Sequence, residues 1–149
     1  MTPALAETLS MVAQAAEGAI DPWWVIGSAA IAVHGHRIAF TKDVDLMMSA
    51  RDAEAFLRRV GARPGGAQPS DRFNSQVFGI WNEPPIPVEI FGGFRVATGG
   101  KWREVALSSR ERVSVGSSQI HVPSREELIS LLHAFGRPKD MERATLLKS

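Results

Sequence analysis

The sequence predicts an α/β (α+β) fold, with a mixed β-sheet and helices packed mainly on one side of it. Three observations lead to this prediction. Apolar residues recur at helical spacing in several segments, short apolar and β-branched runs lie between them, and the first elements alternate strand, helix and strand. The chain has 149 residues, of which 44% are hydrophobic, so residues 1–149 are expected to form one domain with a substantial core.

The elements of the first half follow from apolar spacing and from helix-breaking residues. Asp21-Pro22 should end the first helix, and Ser49 with Asp52 resembles a capping box ahead of another. In chain order we expect a helix over 3–17, a strand over 23–26, a helix opened by Gly27-Ser28, a strand carrying Asp43 and Asp45, and a helix from Ser49 to Gly61.

The second half begins with residues 61–70, where three glycines and two prolines predict a surface loop. Two strands over 73–81 and 86–91 should follow, then a hairpin over 112–122 that turns at Gly116-Ser117. Ser124 and Glu127 form a second capping box before a helix that Gly136 ends, and Pro138 suits the start of a last helix to about 147.

Composition and charge exclude several classes of protein. The formal net charge is +1, which predicts no strong general binding to nucleic acid. The absence of cysteine excludes disulfides and thiolate metal sites, and it suits a reducing cytoplasm. Neither a secretory signal nor an apolar run of membrane-spanning length is present, so no membrane partner is expected.

Asp43 and Asp45 are the first candidate site residues. Side chains two apart in a strand project to the same side, and two such carboxylates repel each other unless a cation lies between them. Oxygen ligands without His or Cys favour a hard ion such as Mg²⁺, or Mn²⁺ in its place. An isolated Asp-x-Asp is more often a strand end or a solvated turn, so the interpretation depends on the residues around it.

Gly27-Ser28 and Glu89 supply that context. A glycine followed by the start of a helix lets backbone N–H groups approach a phosphate, although Ser is also an ordinary N-cap. Glu89 lies between apolar residues of a predicted strand, where an unpaired charge is costly. If this strand lies beside that of Asp43, Glu89 is a third metal ligand or a base; otherwise it faces water from an edge strand.

Taken together, Gly27-Ser28, the Asp43-x-Asp45 pair and Glu89 resemble the pattern of the nucleotidyltransferase superfamily. The chain is most similar to small bacterial proteins related to the AbiEii toxin and to lincosamide nucleotidyltransferases. The segments that carry this closer resemblance are 30–35, 40–46, 88–90 and 136–140.

The resemblance implies a nucleotidyltransferase-like fold and a metal-dependent transfer of a nucleoside monophosphate from an NTP to a hydroxyl. That acceptor hydroxyl belongs to a protein, a tRNA or a small molecule. Gly27 and Ser28 would bind phosphate, and Asp43, Asp45 and Glu89 would hold Mg²⁺. An antitoxin-like or target protein is a further expected partner.

Some residues keep two interpretations. Arg137 and Lys139 either contact phosphate or acceptor, or are solvated and structural charges, and Asp140 is expected to pair with Arg137 or with a helix dipole. His34 could touch a nucleotide. Trp102, which follows Gly-Gly turns at 92–93 and 99–100, could line an acceptor pocket.

Other functions were compared with this one. A haloacid dehalogenase-like phosphatase would need Thr or Val where Met47 stands, and the residues before Asp43 are too few for a metal-dependent glycosyltransferase. The remaining alternative is a domain that keeps the fold and binds a nucleotide or a partner protein without turnover. Three departures from the family pattern favour it: a long spacer between Ser28 and Asp43, Ala39 where relatives often carry arginine, and Leu132 where some relatives carry lysine.

Overall fold

The computed structural model describes residues 1–36, 41–66 and 70–148. Its elements, in chain order, are α1 (Pro3–Ala15), β1 (Trp24–Ile26), α2 (Gly27–Val33), β2 (Val44–Met48), α3 (Ala50–Val60), β3 (Phe73–Trp81), β4 (Val88–Thr98), β5 (Lys101–Glu104), β6 (Glu111–Val115), β7 (Ser118–Val122), α4 (Arg125–Phe135) and α5 (Pro138–Lys148). The spacer after Gly35 and the loop predicted over 61–70 lie partly outside the described residues, at 37–40 and 67–69.

The main sheet has the strand order β1-β2-β4-β3, and β5 pairs with the far end of β4. Strands β2 and β4 run parallel, while β1 is antiparallel to β2 and β3 is antiparallel to β4. This arrangement is the predicted mixed sheet, and the two acid-bearing strands are neighbours as expected. The β6 and β7 strands form the predicted hairpin as a separate two-stranded sheet.

Two glycines let helix α3 pack closely on one face of the sheet. A Cβ on Gly79 would lie 2.6 Å from a Leu57 methyl group, and a Cβ on Gly92 would lie 2.5 Å from the Cβ of Ala53. Side chains of a strand alternate between its two faces. Phe78, which precedes Gly79, and Glu89, which precedes Ile90, therefore point away from this helix. The opposite face of β2 and β4 carries Asp45 and Glu89.

The helix caps agree with the sequence predictions, with one physical difference. The Ser49 and Ser124 hydroxyls accept from backbone N–H groups at the starts of α3 and α4, as capping residues do. The acidic partners of these capping boxes bind elsewhere. Asp52 accepts from the N–H groups of Ile20 and Asp21 at 3.0 and 2.8 Å.

Glu127 behaves in the same way as Asp52. It accepts from the backbone N–H groups of Ser108 and Ser109 at 2.9 and 2.8 Å, and from both hydroxyls. Each capping acid therefore fixes a distant loop instead of completing its own box.

Two strand boundaries differ from the sequence predictions. Asp43 lies immediately before β2, so only Asp45 of the pair belongs to the strand. Strand β4 continues through Gly92 and Gly93, which were expected to form a turn, and ends at Thr98. The second glycine pair does form a turn, between β4 and β5. Periodicity ended the strand too early because glycine interrupts an apolar pattern without interrupting backbone pairing.

No helix in the described part of the chain is long and apolar enough to cross a membrane.

Candidate active site

Asp45 and Glu89 lie side by side on adjacent parallel strands. They are register partners in the β2–β4 pair, and each lies near enough to the other to shift its pKa. Both are half-buried. Two carboxylates this close repel each other unless a proton or a cation lies between them, so this pair fits the predicted cation site.

The electrostatics of this pair follow from burial and from like charge. Burial raises the pKa of Asp45, and Glu89 and Asp43 raise it further, to about 8. Burial also raises the pKa of Glu89, and Asp43 adds to this effect, while Lys42 and Lys139 oppose it. The metal-free site therefore holds a proton near neutral pH.

Asp43 lies one residue before β2, yet it lines the same cavity as Asp45 and Glu89. Three carboxylates without a nitrogen or sulfur donor form a ligand set suited to Mg²⁺, which uses one or two carboxylates and completes its shell with waters and phosphates. Across residues 1–36, 41–66 and 70–148, no three His, Cys, Asp or Glu side chains are arranged as a ready-made metal site. Joint metal binding by all three residues thus stays a prediction.

Gly27 and Ser28 join the site from the start of α2. Gly27 has a φ of +68°, and a Cβ at this position would lie 2.5 Å from a carboxylate oxygen of Asp45. Only glycine allows this turn to pack against that carboxylate. Ser28 is buried at the edge of the cavity, so the structure brings both residues next to the acidic pair.

Cationic side chains from α5 and from the start of β2 face the carboxylates. Arg137 and Lys139 both line the cavity, as the phosphate or acceptor interpretation requires. Lys42 and Arg143 line it too, and the sequence interpretation did not select them as site residues. Arg143 lies four residues after Lys139 and shares a helix face with it, but an ordinary solvated helix face shows the same spacing.

Arg137 is held by Asp140, which is fully buried. The carboxylate accepts from Nε of Arg137 at 2.6 Å, from Nη2 at 3.0 Å and from its backbone N–H at 3.1 Å. The guanidinium also lies 4.8 Å from the centre of the Phe73 ring. The predicted pairing of Asp140 with Arg137 is confirmed, and the pair fixes the guanidinium beside the cavity.

These residues surround a cavity of about 740 Å³, a size that accommodates a nucleotide and a small acceptor. Five phenylalanines also line it, and the sequence interpretation did not place them there. We call them the phenylalanine wall: Phe73, Phe78, Phe91, Phe94 and Phe135. Core packing alone would explain a phenylalanine at each of these positions, so their convergence on one cavity depends on tertiary structure.

Two candidate contacts are wrong. The Nε2 atom of His34 lies 2.8 Å from the backbone oxygen of Pro123, so this ring binds a loop and is not among the residues that line the cavity. Trp102 is 46% exposed on β5, and it too is absent from the described cavity lining. The expectation for Trp102 came from its nearness in sequence to glycine turns, which does not determine where a side chain points.

Comparison with known proteins gives a consistent fold. No protein-family model and no curated protein matches the chain. A candidate nucleotidyltransferase from Thermotoga maritima shares its structure with a TM-score of 0.79 at 23% identity, over 99% of this chain and 93% of that one. The antibiotic-resistance factor ANT(2'')-Ia matches with a TM-score of 0.63 at 15% identity, over 99% of this chain and 84% of the ANT(2'')-Ia chain.

A third solved structure extends the series. The lincosamide antibiotic adenylyltransferase LnuA, in its lincomycin-bound form, matches with a TM-score of 0.51 at 16% identity, covering 86% of each chain. All three identities are below 25%, so the likeness is one of fold. The chain has a nucleotidyltransferase-like fold.

Proposed function

We propose that this chain is a metal-dependent nucleotidyltransferase that moves a nucleoside monophosphate from an NTP to a hydroxyl acceptor. The observation that carries the proposal is the Asp45–Glu89 pair. The two carboxyl groups are register partners on adjacent strands and line a cavity that Lys42, Lys139 and Arg143 also line. Anionic ligands for a cation beside cations for phosphate are the combination that phosphoryl-group chemistry requires.

In the proposed reaction, the oxygen of the acceptor hydroxyl attacks the α-phosphorus of the NTP. A new P–O bond forms, the bond between the α-phosphorus and its bridging oxygen breaks, and pyrophosphate leaves. The hydroxyl proton passes to a carboxylate, for which Glu89 is the candidate, since its raised pKa brings it closer to neutral pH. If Glu89 is instead a metal ligand, the proton goes to solvent.

The other residues bind and orient the substrates. Asp43 and Asp45 would hold Mg²⁺ or Mn²⁺, with Glu89 as a third ligand or as the base, and the ion would neutralise charge on the triphosphate. Ser28 and the backbone N–H groups at the start of α2 would bind the departing phosphates, since Ser28 lines the cavity and Gly27 packs against Asp45. Lys139 and Arg143 line the same cavity from α5 and would contact these phosphates, and Arg137 would add a fixed guanidinium.

Label transfer from two forms of each NTP tests the proposal. The protein is incubated in cell extract with Mg²⁺ and each NTP labelled either at the α- or at the γ-phosphate. Nucleotidyl transfer moves only the α-label to an acceptor, whereas phosphoryl transfer moves only the γ-label. Glu89→Gln should lose most turnover while retaining much of the nucleotide affinity, because a base acts mainly in the transition state.

Each outcome of this experiment separates two functions. If the wild-type protein moves no α-label while Mg²⁺ and an NTP still raise its melting temperature, it is a nucleotide-binding module without turnover. If Glu89→Gln transfers label as fast as the wild type, Glu89 has no catalytic role.

The finer resemblance to AbiEii-like toxins, with an antitoxin-like partner and a cytoplasmic location, stays a prediction. Copurification of this chain with the products of neighbouring genes, followed by mass spectrometry, is the direct test. A stable partner that suppresses label transfer would support it.

A further inference from the structure

The phenylalanine wall forms one continuous apolar surface inside the cavity. Ring centroids lie 5.2 Å apart for Phe78 and Phe91, 5.1 Å for Phe91 and Phe94, and 5.9 Å for Phe94 and Phe135. Phe73 closes the series, 5.1 Å from Phe135. The chain has seven phenylalanines and no tyrosine, so five of its seven phenylalanine rings meet here.

Core packing explains only part of this wall. Phe94 and Phe135 are 5% and 6% exposed and fill space between the sheet and α4. Phe73, Phe78 and Phe91 are only half-buried, although all three line the cavity. Aromatic surface left open in a concave site is a surface for a flat apolar group.

The wall begins beside the acidic pair. Phe91 follows Glu89 by two residues on β4, so both side chains project from the same face at neighbouring positions. Phe78 is the register partner of Phe91 on β3. A flat molecule on these two rings would therefore hold a hydroxyl close to the candidate base.

The charges around the cavity do not suit a polycationic acceptor. Asp43, Asp45 and Glu89 are the only acidic residues among the described residues that line it, and the segments 37–40 and 67–69 contain no Asp or Glu. The proposed function assigns these three carboxylates to the metal and to the base. An ammonium-rich acceptor would therefore find no free carboxylate to pair with among these residues.

We infer that the acceptor is a flat, aromatic or similarly apolar molecule, neutral or anionic, that carries its hydroxyl against Phe78 and Phe91. This inference names the substrate class of the proposed function and rests on it. The same ring surface could instead receive the base of the NTP, so the experiment must separate the two sources of a flat group.

Two hydroxyl-bearing probes test the inference, both on the full chain with Mg²⁺ and a non-hydrolysable NTP analogue. The first is 6-hydroxynaphthalene-2-sulfonate, a flat fluorescent anion. The second is tobramycin, a polycation that one solved structure of this fold contains in adenylylated form. We expect the naphthol to bind and tobramycin not to bind. Phe91→Ala should weaken naphthol binding about tenfold, the effect of one lost ring contact.

Matched variants control for the fold and for charge. Trp102→Ala removes an exposed aromatic that does not line the cavity, so naphthol affinity should stay unchanged. Asn74→Asp adds one carboxylate of equal size to the exposed part of the lining, and it should raise tobramycin affinity severalfold. Phe91→Leu keeps an apolar side chain and shows whether the ring itself is needed.

The outcomes separate this inference from the proposed function. Tobramycin binding or labelling by the wild type would overturn the inference and leave nucleotidyl transfer intact. Equal naphthol binding in wild type and Phe91→Ala, or no naphthol binding at all, would also overturn it. If the NTP analogue displaces the naphthol instead of binding together with it, the phenylalanine wall holds the nucleobase of the NTP and not the acceptor. If the naphthol binds in a way that depends on Phe91 but no α-label is transferred, the inferred class of ligand is supported while the proposed nucleotidyl transfer fails.

Discussion

Gly27 shows how one residue without a side chain determines the geometry of the site. Its φ is +68°, and an added Cβ would lie 2.5 Å from an oxygen of Asp45. Gly27→Ala should therefore cost about 2 kcal/mol of unfolding free energy and also weaken metal-dependent nucleotide binding, since Asp45 must move. Urea unfolding and nucleotide titration measure the two effects.

Gly35→Ala is the matched control for this prediction. Gly35 also has a positive φ, +88°, but no atom of the described residues lies within 4 Å of an added Cβ. This variant should lose stability through backbone strain alone and keep nucleotide binding. If both variants bind nucleotide like the wild type, the contact between Gly27 and Asp45 is not needed for function.

Asp45 should make the metal-free protein less stable as the pH rises. Its pKa in the folded protein is raised to about 8, so between about pH 4 and pH 8 the unfolded chain is ionised while the folded one retains its proton. Stability therefore falls with rising pH across this window. Asp45→Asn removes the effect and should be more stable than wild type by about 2 kcal/mol at pH 8.5, with little gain near pH 4.

Urea unfolding with EDTA, at pH 5 and at pH 8.5, measures this difference. Asp21→Asn is a control of opposite sign, because Arg51 lowers the pKa of Asp21 to about 2 and the ionised form stabilises the fold above its unfolded pKa. That variant should lose stability at both pH values. Parallel curves for wild type and Asp45→Asn would show that Asp45 is not in the acidic cluster described here.

At the scale of elements, the start of α5 depends on Asp140. Its buried carboxylate accepts three hydrogen bonds from Arg137, including one from the backbone N–H at the helix start. Asp140→Asn keeps the size but loses the charge, and we expect a loss of about 2–3 kcal/mol in urea unfolding. Lys139→Ala, exposed on the same turn, should change stability by less than about 0.5 kcal/mol.

A double-mutant cycle tests the same pair further. Arg137→Ala combined with Asp140→Asn should cost less than the sum of the two single changes, because the second change removes a partner already lost. Additive losses would mean that Asp140 stabilises α5 through the backbone N–H alone.

The elements also show what sequence patterns can and cannot predict. Helix caps and helix ends could be predicted from the sequence. Ser49, Ser124, Gly61 and Gly136 each act on their own helix, so the pattern that identifies them is local. The extension of β4 beyond Gly92 could not be predicted from the sequence. A glycine is needed at position 92 because Ala53 of helix α3 packs closely against it, and this contact depends on the tertiary structure.

The same distinction applies to the site. The nearness of Asp45 and Glu89 was expected from the family resemblance, in which Gly27-Ser28, the Asp43-x-Asp45 pair and a third acid on a following strand form one pattern. The contributions of Arg143 and Phe78 were not, since helix periodicity and strand alternation explain each of them without a ligand. Only the packing of α5 and β3 around one cavity distinguishes them.

For the whole molecule, the cavity joins elements from both ends of the chain. Ser28 comes from α2, Glu89 from β4 and Arg143 from α5, so a ligand that contacts all three connects the first, middle and last parts of the fold. Such a ligand should stabilise the entire chain cooperatively, since it binds only when these elements are packed together.

Mg²⁺ with an NTP should therefore raise the melting temperature of the wild type by about 5–10 °C at a hundred times the dissociation constant, a gain of about 2.7 kcal/mol for a domain of this size. Metal alone or NTP alone should raise the melting temperature less. Metal alone leaves the cationic side chains without phosphate, and NTP alone leaves the carboxylates without a cation. Asp43→Asn and Asp45→Asn should abolish the joint shift, whereas Glu104→Gln, an exposed acid on β5, should keep it. Differential scanning fluorimetry measures all four proteins. Equal shifts in every variant would place the nucleotide outside this cavity, and the carboxylates would then serve another purpose.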